Sequence, residues 1–511
     1  VEAVGAAFDR ILPEADSATL PQDGDALAAA LAAAGHAPGE ERRVERWRSG
    51  TLRAIRSPQA RASFERVLPG LIATTGAAPD PARAIARFDN LVAALPSAIN
   101  FFDLLEARPA LLKLVGDVLS YAPTLADALA RRAELIEGLV DASALDLPGS
   151  VAEIVAGIGG MSAREDYERF LDRVRARVSE LRFALGVQLI EARADPLDIA
   201  AAYARVAEAA IALILPATIA EYRDAHGDVP GSELVVLALG RLGGEALTHA
   251  SDLDLVFLFT GDIGGESDGA RPLDTTRYYQ RLAQRCIAAL SVPTAAGPLY
   301  EIDTRLRPSG AQGLLAVSVA SFARYQREDA WTWEHMALTR ARPVFGSAAA
   351  RAEAEAAIGA VLAERRAARP LFADIAAMRV EMARHKPPLG PLDAKLLPGG
   401  LVDLEFVTHA LQLAHGVGIT PRLRQALAAL AGSGLVPADF VEAHRLLTRL
   451  LVHVRLVAPD GQVPPPAGQA LIAAALGLPD WRAVETALDS ARAAIIARYR
   501  ALFGSHWRDD A

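Results

Sequence analysis

The sequence predicts a mostly α-helical protein in which one small α/β domain lies between two helical regions. Two observations support this fold class. Ala, Leu, Arg and Glu dominate most of the chain, and apolar residues recur every three or four positions, as in amphipathic helices. Near residue 230 the pattern changes to short apolar runs separated by turn residues, which is typical of buried strands.

The domain organisation follows from these changes of pattern. We expect a helical regulatory or linker region over residues 1–230, an α/β domain over 231–346 and a C-terminal helical bundle over 347–511. Inside the α/β domain the sequence predicts strands at 232–239, 253–259, 299–305 and 313–317, and a helix at 274–291.

Composition restricts the classes of partner. The 511 residues carry 53 basic and 62 acidic side chains, a net charge of −9, which argues against a protein that coats nucleic acid or an anionic membrane. A single cysteine excludes a disulfide framework and fits a reducing, cytoplasmic compartment. No targeting segment is visible, and the longest apolar runs, such as 209–220, fall short of the roughly 20 residues that span a bilayer. We therefore expect neither a membrane nor a nucleic-acid partner.

The segment that follows the first predicted strand contains most of the chemically informative residues. Gly243 and Gly244 are predicted to open a short helix, where glycine lets the backbone approach a phosphate and free N–H groups bind the anion. Ser251, Asp252 and Asp254 follow. Residues two apart in a strand point to one face, so the two carboxylates are expected to meet. Two such oxygen ligands suit Mg²⁺, which also takes substrate phosphates.

A third acidic residue lies on the next predicted strand. The same spacing would place Asp303, Arg305 and Arg307 on one face, with the acid for a metal and the guanidinium groups for phosphate oxygens. Metal ions that clamp the entering and leaving oxygens are typical of nucleotidyl transfer. The alternative for the two arginines is that they neutralise the acidic cluster.

Two further stretches are candidates for ligand contact. Residues 330–342 are predicted as one helix, with Arg340 or Arg342 on a nucleotide phosphate and the aromatic residues more typical of a core. Lys395 lies before a Gly-Gly helix start that is followed by Asp403 and Glu405, which suits an anion and a metal. Acidic residues are also simply favoured in the first turns of a helix, so this second assignment stays open.

Other nucleotide and metal motifs are absent from the sequence. The dipeptide Gly-Lys does not occur, which excludes a P-loop. The glycines after the first strand lack the Gly-x-Gly-x-x-Gly spacing of a dinucleotide-binding fold, and no His-Glu-x-x-His is present.

Several motifs in order resemble the glutamine synthetase adenylyltransferase family. They lie at 240–255, 300–310, 330–335 and 399–406, together with the helical stretch 87–141. The resemblance implies a polymerase-beta-like nucleotidyltransferase domain flanked by helical bundles. Family members carry two transferase halves joined by a regulatory helical segment, whereas this sequence has one Gly-Gly…Ser-Asp-x-Asp constellation. Residues 329–335 are similar to the adenylylating half, so we expect a C-terminal half with the central helical region attached.

The resemblance also implies an activity, transfer of AMP from ATP to a tyrosine of glutamine synthetase with release of pyrophosphate. It makes Asp252, Asp254 and Asp303 the metal-binding acids, and Gly243, Gly244 and Ser251 the phosphate cradle. The implied cofactor is Mg²⁺, and the implied partners are ATP, glutamine synthetase, a PII signal protein and glutamine as an effector. Three alternatives remain: phosphorolytic removal of AMP, another nucleotidyl transfer such as uridylylation, and a non-catalytic helical scaffold.

Overall fold

A computed structural model describes residues 19–95, 98–139, 145–294 and 297–505, and the described chain is mostly helical with one small mixed sheet. The predicted fold class is confirmed. The helices before the sheet are α1 (Gly24–Ala33), α2 (Glu41–Arg48), α3 (Pro58–Gly76), α4 (Pro81–Ala94), α5 (Ile99–Ala107), α6 (Pro109–Tyr121), α7 (Pro123–Arg131), α8 (Val151–Ile158), α9 (Tyr167–Ile190) and α10 (Pro196–His226).

Helix α10 is the longest of the described helices and packs along the sheet domain. It starts at Pro196, where the missing N–H costs nothing, and the Asp195 side chain accepts a hydrogen bond from the N–H of Leu197. It is long and apolar enough to cross a membrane, which corrects the expectation that no segment is. Within the fold, 72% of its most apolar window is buried, the ordinary state of a core helix.

Within the described residues the sheet has five strands, and it contains Asp254 and Asp303. Its strands are β1 (Leu234–Ala238), β2 (Leu253–Phe259), β3 (Ile302–Asp303), β4 (Ala316–Ser318) and β5 (Arg342–Phe345). Strand β1 runs antiparallel to β2 and β5, and β2 runs parallel to β3 and β4. The predicted strand over 299–305 is reduced to two residues, and β5 lies where the sequence predicted the end of a helix. The other elements of this region are α11 (Gly240–Gly243), α12 (Thr275–Ser291), α13 (Val319–Glu328) and α14 (Thr332–Leu338).

Helices follow the sheet to the end of the described chain. They are α15 (Ala348–Ala363), α16 (Ala368–His385), α17 (Leu401–His415), α18 (Leu423–Gly432), α19 (Ala438–Val457), α20 (Pro466–Leu476) and α21 (Trp481–Phe503).

The two faces of the sheet belong to two different hydrophobic cores. Along β1, Leu234 and Val236 pack with the helices that precede the sheet, whereas Val235 and Leu237 pack with the C-terminal helices. This division follows from the alternation of side chains in a strand. Because both faces are covered, the strands that carry the candidate site residues are held from both sides.

Candidate active site

Three carboxylates meet at one end of β2 and β3, as the sequence predicts. Asp254 pairs in register with Asp303 of the parallel strand, and Asp252 directly precedes β2. One oxygen from each of the three side chains lies within 4.8 Å of the other two. Asp252 is exposed, while Asp254 and Asp303 are partly buried, so the cluster opens to solvent at one side.

The three acids repel one another. Burial, followed by the charges of Asp252 and Asp303, raises the pKa of Asp254 to about 6. The pKa of Asp303 is lowered instead, chiefly because the Arg305 side chain donates hydrogen bonds to its carboxylate. Such a group of like charges is unfavourable unless a cation balances it.

The donor set fits a divalent cation. Three carboxylates supply hard oxygen ligands, and Mg²⁺ is usually held by one or two carboxylates together with substrate phosphates. The raised pKa of Asp254 shows that its negative charge is unfavourable in this environment, and a bound cation would neutralise that charge. The residues present therefore suit the Mg²⁺ that the family resemblance implies.

The two glycines are placed differently from the prediction. Gly243 and Gly244 end the short helix α11 rather than open it, and their N–H groups donate to the carbonyls of Leu239 and Gly240. A Cβ on Gly243 would lie 1.9 Å from the carbonyl oxygen of Arg340, so glycine is needed there for packing. Because both amides are already bonded, the phosphate contact predicted for them has no free donor in this conformation.

Gly240 is the glycine that touches the carboxylate cluster. Its φ is +53°, and a Cβ there would lie 2.1 Å from Oδ2 of Asp254. The Ser251 hydroxyl accepts the N–H of Thr248 at 2.9 Å and so closes the turn that leads into Asp252. Ser251 thus positions the acids, and its predicted contact with a nucleotide remains a prediction.

The two arginines after β3 do not share the face of Asp303. Both lie in turns beyond the strand. The Nε of Arg305 folds back to donate to Asp303 Oδ2 at 2.8 Å. Arg307 donates to the carbonyl oxygens of Thr304, Ala311 and Gly313, which holds the loop together. Of the two, only Arg305 is brought to the acids, in the neutralising arrangement.

Residues 330–342 form a short helix, a turn and a strand rather than one helix. Trp331 is 71% exposed, so its predicted place in the core is wrong. Arg342 donates to the carboxylate of Glu208 at 2.9 Å and to the carbonyl of Gly243 at 3.0 Å, a structural role. The Nη1 of Arg340 lies 2.9 Å from the carboxylate of Glu405 on α17.

The two acids of α17 have different environments. Asp403 is fully buried, forms an ion pair with Arg379 at 2.6 Å and accepts the N–H of Gly399 at 2.7 Å. This residue holds the helix in place and is not aimed at a ligand. Glu405 is partly buried, and although burial raises its pKa, the charges of Arg340 and Arg241 lower it to about 2.

A group of cations lies around Glu405, and the sequence analysis did not identify it as a group. Arg241, Arg340 and Lys395 all lower the pKa of Glu405, and Arg340 and Lys395 also lower that of Asp254. Burial lowers the pKa of Arg241 to about 10. Arg241 comes from α11, Arg340 from the turn after α14 and Lys395 from the segment before α17. Because these segments are far apart in the sequence, no local pattern predicts that their side chains meet.

The acidic triad on a small mixed sheet, next to a set of buried and partly buried cations, defines the class of a nucleotidyltransferase. Residues 112–357 match the family model described as glutamate-ammonia ligase adenylyltransferase, and residues 375–503 match the model described as GlnD PII-uridylyltransferase.

Curated relatives agree with the first of these matches. A bifunctional glutamine synthetase adenylyltransferase/adenylyl-removing enzyme of Brucella melitensis is 39% identical over 453 residues, which are 86% of this chain and 46% of the relative. The enzymes of the same description from Rhizobium meliloti and Caulobacter vibrioides are 39% and 36% identical, over 83% and 90% of this chain and 44% and 47% of their own lengths. The chain is homologous to these enzymes over most of its length, and residues 112–357 belong to the glutamate-ammonia ligase adenylyltransferase family. It spans about half the length of the curated relatives that it matches.

Proposed function

We propose that this chain transfers AMP from ATP to a tyrosine of glutamine synthetase and releases pyrophosphate. The observation that carries the proposal is the convergence of Asp252, Asp254 and Asp303 in a chain homologous to the adenylyltransferases. The helical region before the sheet and the helical bundle after it would hold this centre and carry its regulation.

Each acid has a distinct part in this reaction. Asp252 and Asp254 would hold the metal, and Asp303 would complete the ligand set from the neighbouring strand. When bound, Mg²⁺ supplies the positive charge that neutralises the reacting phosphate and the leaving group. Because the guanidinium of Arg305 lowers the pKa of Asp303, this carboxylate is a weak base, and we assign it to metal binding rather than to acceptance of the tyrosine proton.

The finer assignments of partner rest on the resemblance. We infer that a PII signal protein and glutamine regulate the transfer, and that the chain works in the cytoplasm, where its target and ATP are found. The match of the C-terminal helices to a PII-uridylyltransferase model supports a link to the same regulatory system.

Uridylyl transfer is the second candidate, and this same match favours it. The match covers residues 375–503 and leaves out the triad, whereas the adenylyltransferase model covers all three acids. Phosphorolytic removal of AMP is the third candidate, since the relatives are named for both activities. The Trp-Thr-Trp-Glu-His motif at 331–335 supports the adenylylating direction.

Labelled nucleotides separate the three candidates. The chain is incubated with Mg²⁺, unmodified glutamine synthetase and either α-labelled ATP or α-labelled UTP, and a second reaction contains adenylylated synthetase with phosphate. The proposal expects label from ATP on a synthetase tyrosine, no label with Asp254→Asn, and normal transfer with Asp262→Asn, an exposed acid outside the triad. Transfer of UMP, or removal of AMP without transfer, contradicts it.

A further inference from the structure

Arg182 of α9 binds two chain segments that lead into the strands of the acidic triad. Its Nη1 donates to the carbonyl oxygen of Leu299 at 2.7 Å, and its Nη2 donates to that of His249 at 2.6 Å. His249 lies three residues before Asp252, and Leu299 lies four residues before Asp303. One planar guanidinium therefore joins the approach to β2 with the approach to β3.

Two buried tyrosines hold Arg182 in place. Its guanidinium lies over the ring of Tyr300, 4.6 Å from the ring centroid, a distance typical of a cation–π contact. The hydroxyl of Tyr203, on α10, donates to the carbonyl oxygen of Arg182 at 3.2 Å and lies 3.3 Å from Nδ1 of His249. The arginine side chain thus starts from a bonded backbone and ends against a buried ring.

Strand β3 contributes little of its own to the position of Asp303. It has two residues, and its pairing with β2 joins Ile302 to Leu253 and Asp303 to Asp254. Beside these pairs, the N–H of Leu253 donates to the carbonyl oxygen of Glu301 at 2.9 Å. Because a ladder of this length provides few hydrogen bonds, the separation of the carboxylates depends on what holds both strands where they begin.

We propose that Arg182 is a positioning residue of the metal site. Its guanidinium fixes the approaches to β2 and β3 relative to each other, and so keeps Asp252 and Asp254 within ligand distance of Asp303. The inference rests on the proposed function, because it takes the triad as the metal centre. It also makes α9, a helix of the region before the sheet, a direct support of that centre. Groups that orient metal ligands commonly change metal affinity or activity 10–100-fold when they are removed.

Arg175 provides a matched comparison on the same helix. It lies seven residues earlier on the same face of α9, is 1% exposed, and its Nη2 donates to the carbonyl oxygens of Ala289 at 2.6 Å and Val292 at 3.2 Å. These carbonyls lie at the C-terminal end of α12, whereas those bound by Arg182 lie next to the acids. If both arginines only satisfy buried carbonyl groups, their removal changes stability but leaves the metal site as it is.

Hydrogen exchange of the full chain in EDTA provides the first measurement, without any metal. The proposal expects the amide of Leu253 to exchange at least about tenfold faster in Arg182→Met than in Arg175→Met, the scale of losing a hydrogen bond to a charged group. The amide of Val292, which donates to the Ala288 carbonyl at the end of α12, should show the reverse order. This reciprocal pattern separates local loosening from a general loss of stability.

The affinity for Mn²⁺ in the presence of ATP provides the second measurement. The proposal expects a loss of about 10–100-fold in Arg182→Met and wild-type affinity in Arg175→Met. Arg182→Lys should recover part of the loss, since its ammonium donates to carbonyl oxygens but lacks the planar fork. In the transfer assay, kcat should follow the same order of variants, because the metal ligands act on the transition state.

Equal exchange at Leu253, or equal Mn²⁺ affinity, in Arg182→Met and Arg175→Met overturns the inference, even if Arg182→Met loses transfer. If Arg182→Met does not fold, Arg182→Gln takes its place in both measurements.

The outcomes also separate this inference from the proposed function. Wild-type transfer of AMP, together with Mn²⁺ affinity that is independent of Arg182, rejects the inference alone. Mn²⁺ affinity that depends on Arg182 in a chain that transfers UMP supports the positioning role and rejects the adenylyl assignment.

Discussion

The buried Arg379–Asp403 pair and the Asp252–Asp254–Asp303 triad place acidic groups in opposite electrostatic situations. In the first, one guanidinium faces one carboxylate at 2.6 Å, both side chains are almost completely buried, and the Gly399 N–H adds a further bond. In the second, three carboxylates lie within 4.8 Å of one another, and their one hydrogen-bonded cation among the described residues is the exposed Arg305. Matched charge fixes the fold, whereas unmatched charge leaves the triad available for a ligand.

The largest expected effect comes from neutralising the centre of the triad. Asp254→Asn should lower the rate of transfer by about 10³-fold, the scale of losing a group that stabilises transition-state charge. The same change should raise the free energy of unfolding by about 1–3 kcal/mol at pH 8, since one pKa unit corresponds to about 1.4 kcal/mol. Its cause is burial, followed by the charges of Asp252 and Asp303, which together raise the pKa of Asp254 from 3.8 to about 6.

The size of this gain in stability depends on pH. Because the pKa of Asp254 is raised on folding, the ionised carboxylate destabilises the wild type increasingly as pH rises from about 4 to about 6. Denaturant unfolding is measured in EDTA at pH 4 and pH 8. The free energy of unfolding of Asp254→Asn should exceed that of the wild type only at pH 8. A less stable variant at pH 8 contradicts this account.

The second prediction concerns the matched pair. Arg379→Met should lower the free energy of unfolding by about 3–5 kcal/mol, because it leaves the Asp403 charge buried without its ion-pair partner. The double variant Arg379→Met with Asp403→Leu should recover most of that loss. Arg340→Met, by contrast, should cost less, because Arg241 and Lys395 remain near Glu405. Equal losses in Arg379→Met and Arg340→Met, measured by denaturant titration, would remove the distinction between the two sites.

A third prediction uses the metal itself. Mg²⁺ that binds the folded triad should stabilise the wild type by about 2.7 kcal/mol at a concentration of 100 times Kd. Asp254→Asn should lose most of this stabilisation, whereas Asp262→Asn should retain it. Thermal unfolding across a Mg²⁺ series provides the measurement, and equal Mg²⁺ stabilisation of all three proteins argues against a metal at the triad.

The smallest expected effect distinguishes the two roles open to Arg305. If its guanidinium only neutralises Asp303, Arg305→Gln should tighten Mg²⁺ binding slightly and leave the KM for ATP unchanged. If it also binds phosphate, KM for ATP should rise about tenfold, as for the loss of a charge-assisted hydrogen bond. In both cases Arg305→Gln should barely affect the free energy of unfolding, since the Arg305 side chain is 72% exposed.

The triad was predictable because its geometry is local. Two acids spaced two apart at the start of an apolar strand must share a side, and a third on a neighbouring strand can join them. The bounds predicted for Leu253–Phe259 agree with the structure for this reason. Strand β3 ends at Asp303, and beyond it the two arginines follow turn geometry that alternation does not describe.

What the sequence did not predict depends on long-range contacts. The role of Arg340 is set by Glu405, 65 residues away, and that of Arg342 by Glu208, 134 residues away. Strand β5 is short and pairs with β1, so its apolar residues at 343–345 resemble the continuation of the preceding helix. Close approach to a phosphate and close packing against Arg340 both require glycine, so the glycines at 243 and 244 do not by themselves distinguish the two roles.

Binding of Mn²⁺ in the presence of ATP, followed by electron paramagnetic resonance, tests the metal site most directly. The account predicts that the wild type and Asp262→Asn take up Mn²⁺ with the same affinity, and that Asp254→Asn loses most of that affinity while it remains folded. Uptake that is equal in all three proteins would contradict the assignment of the triad as the metal centre.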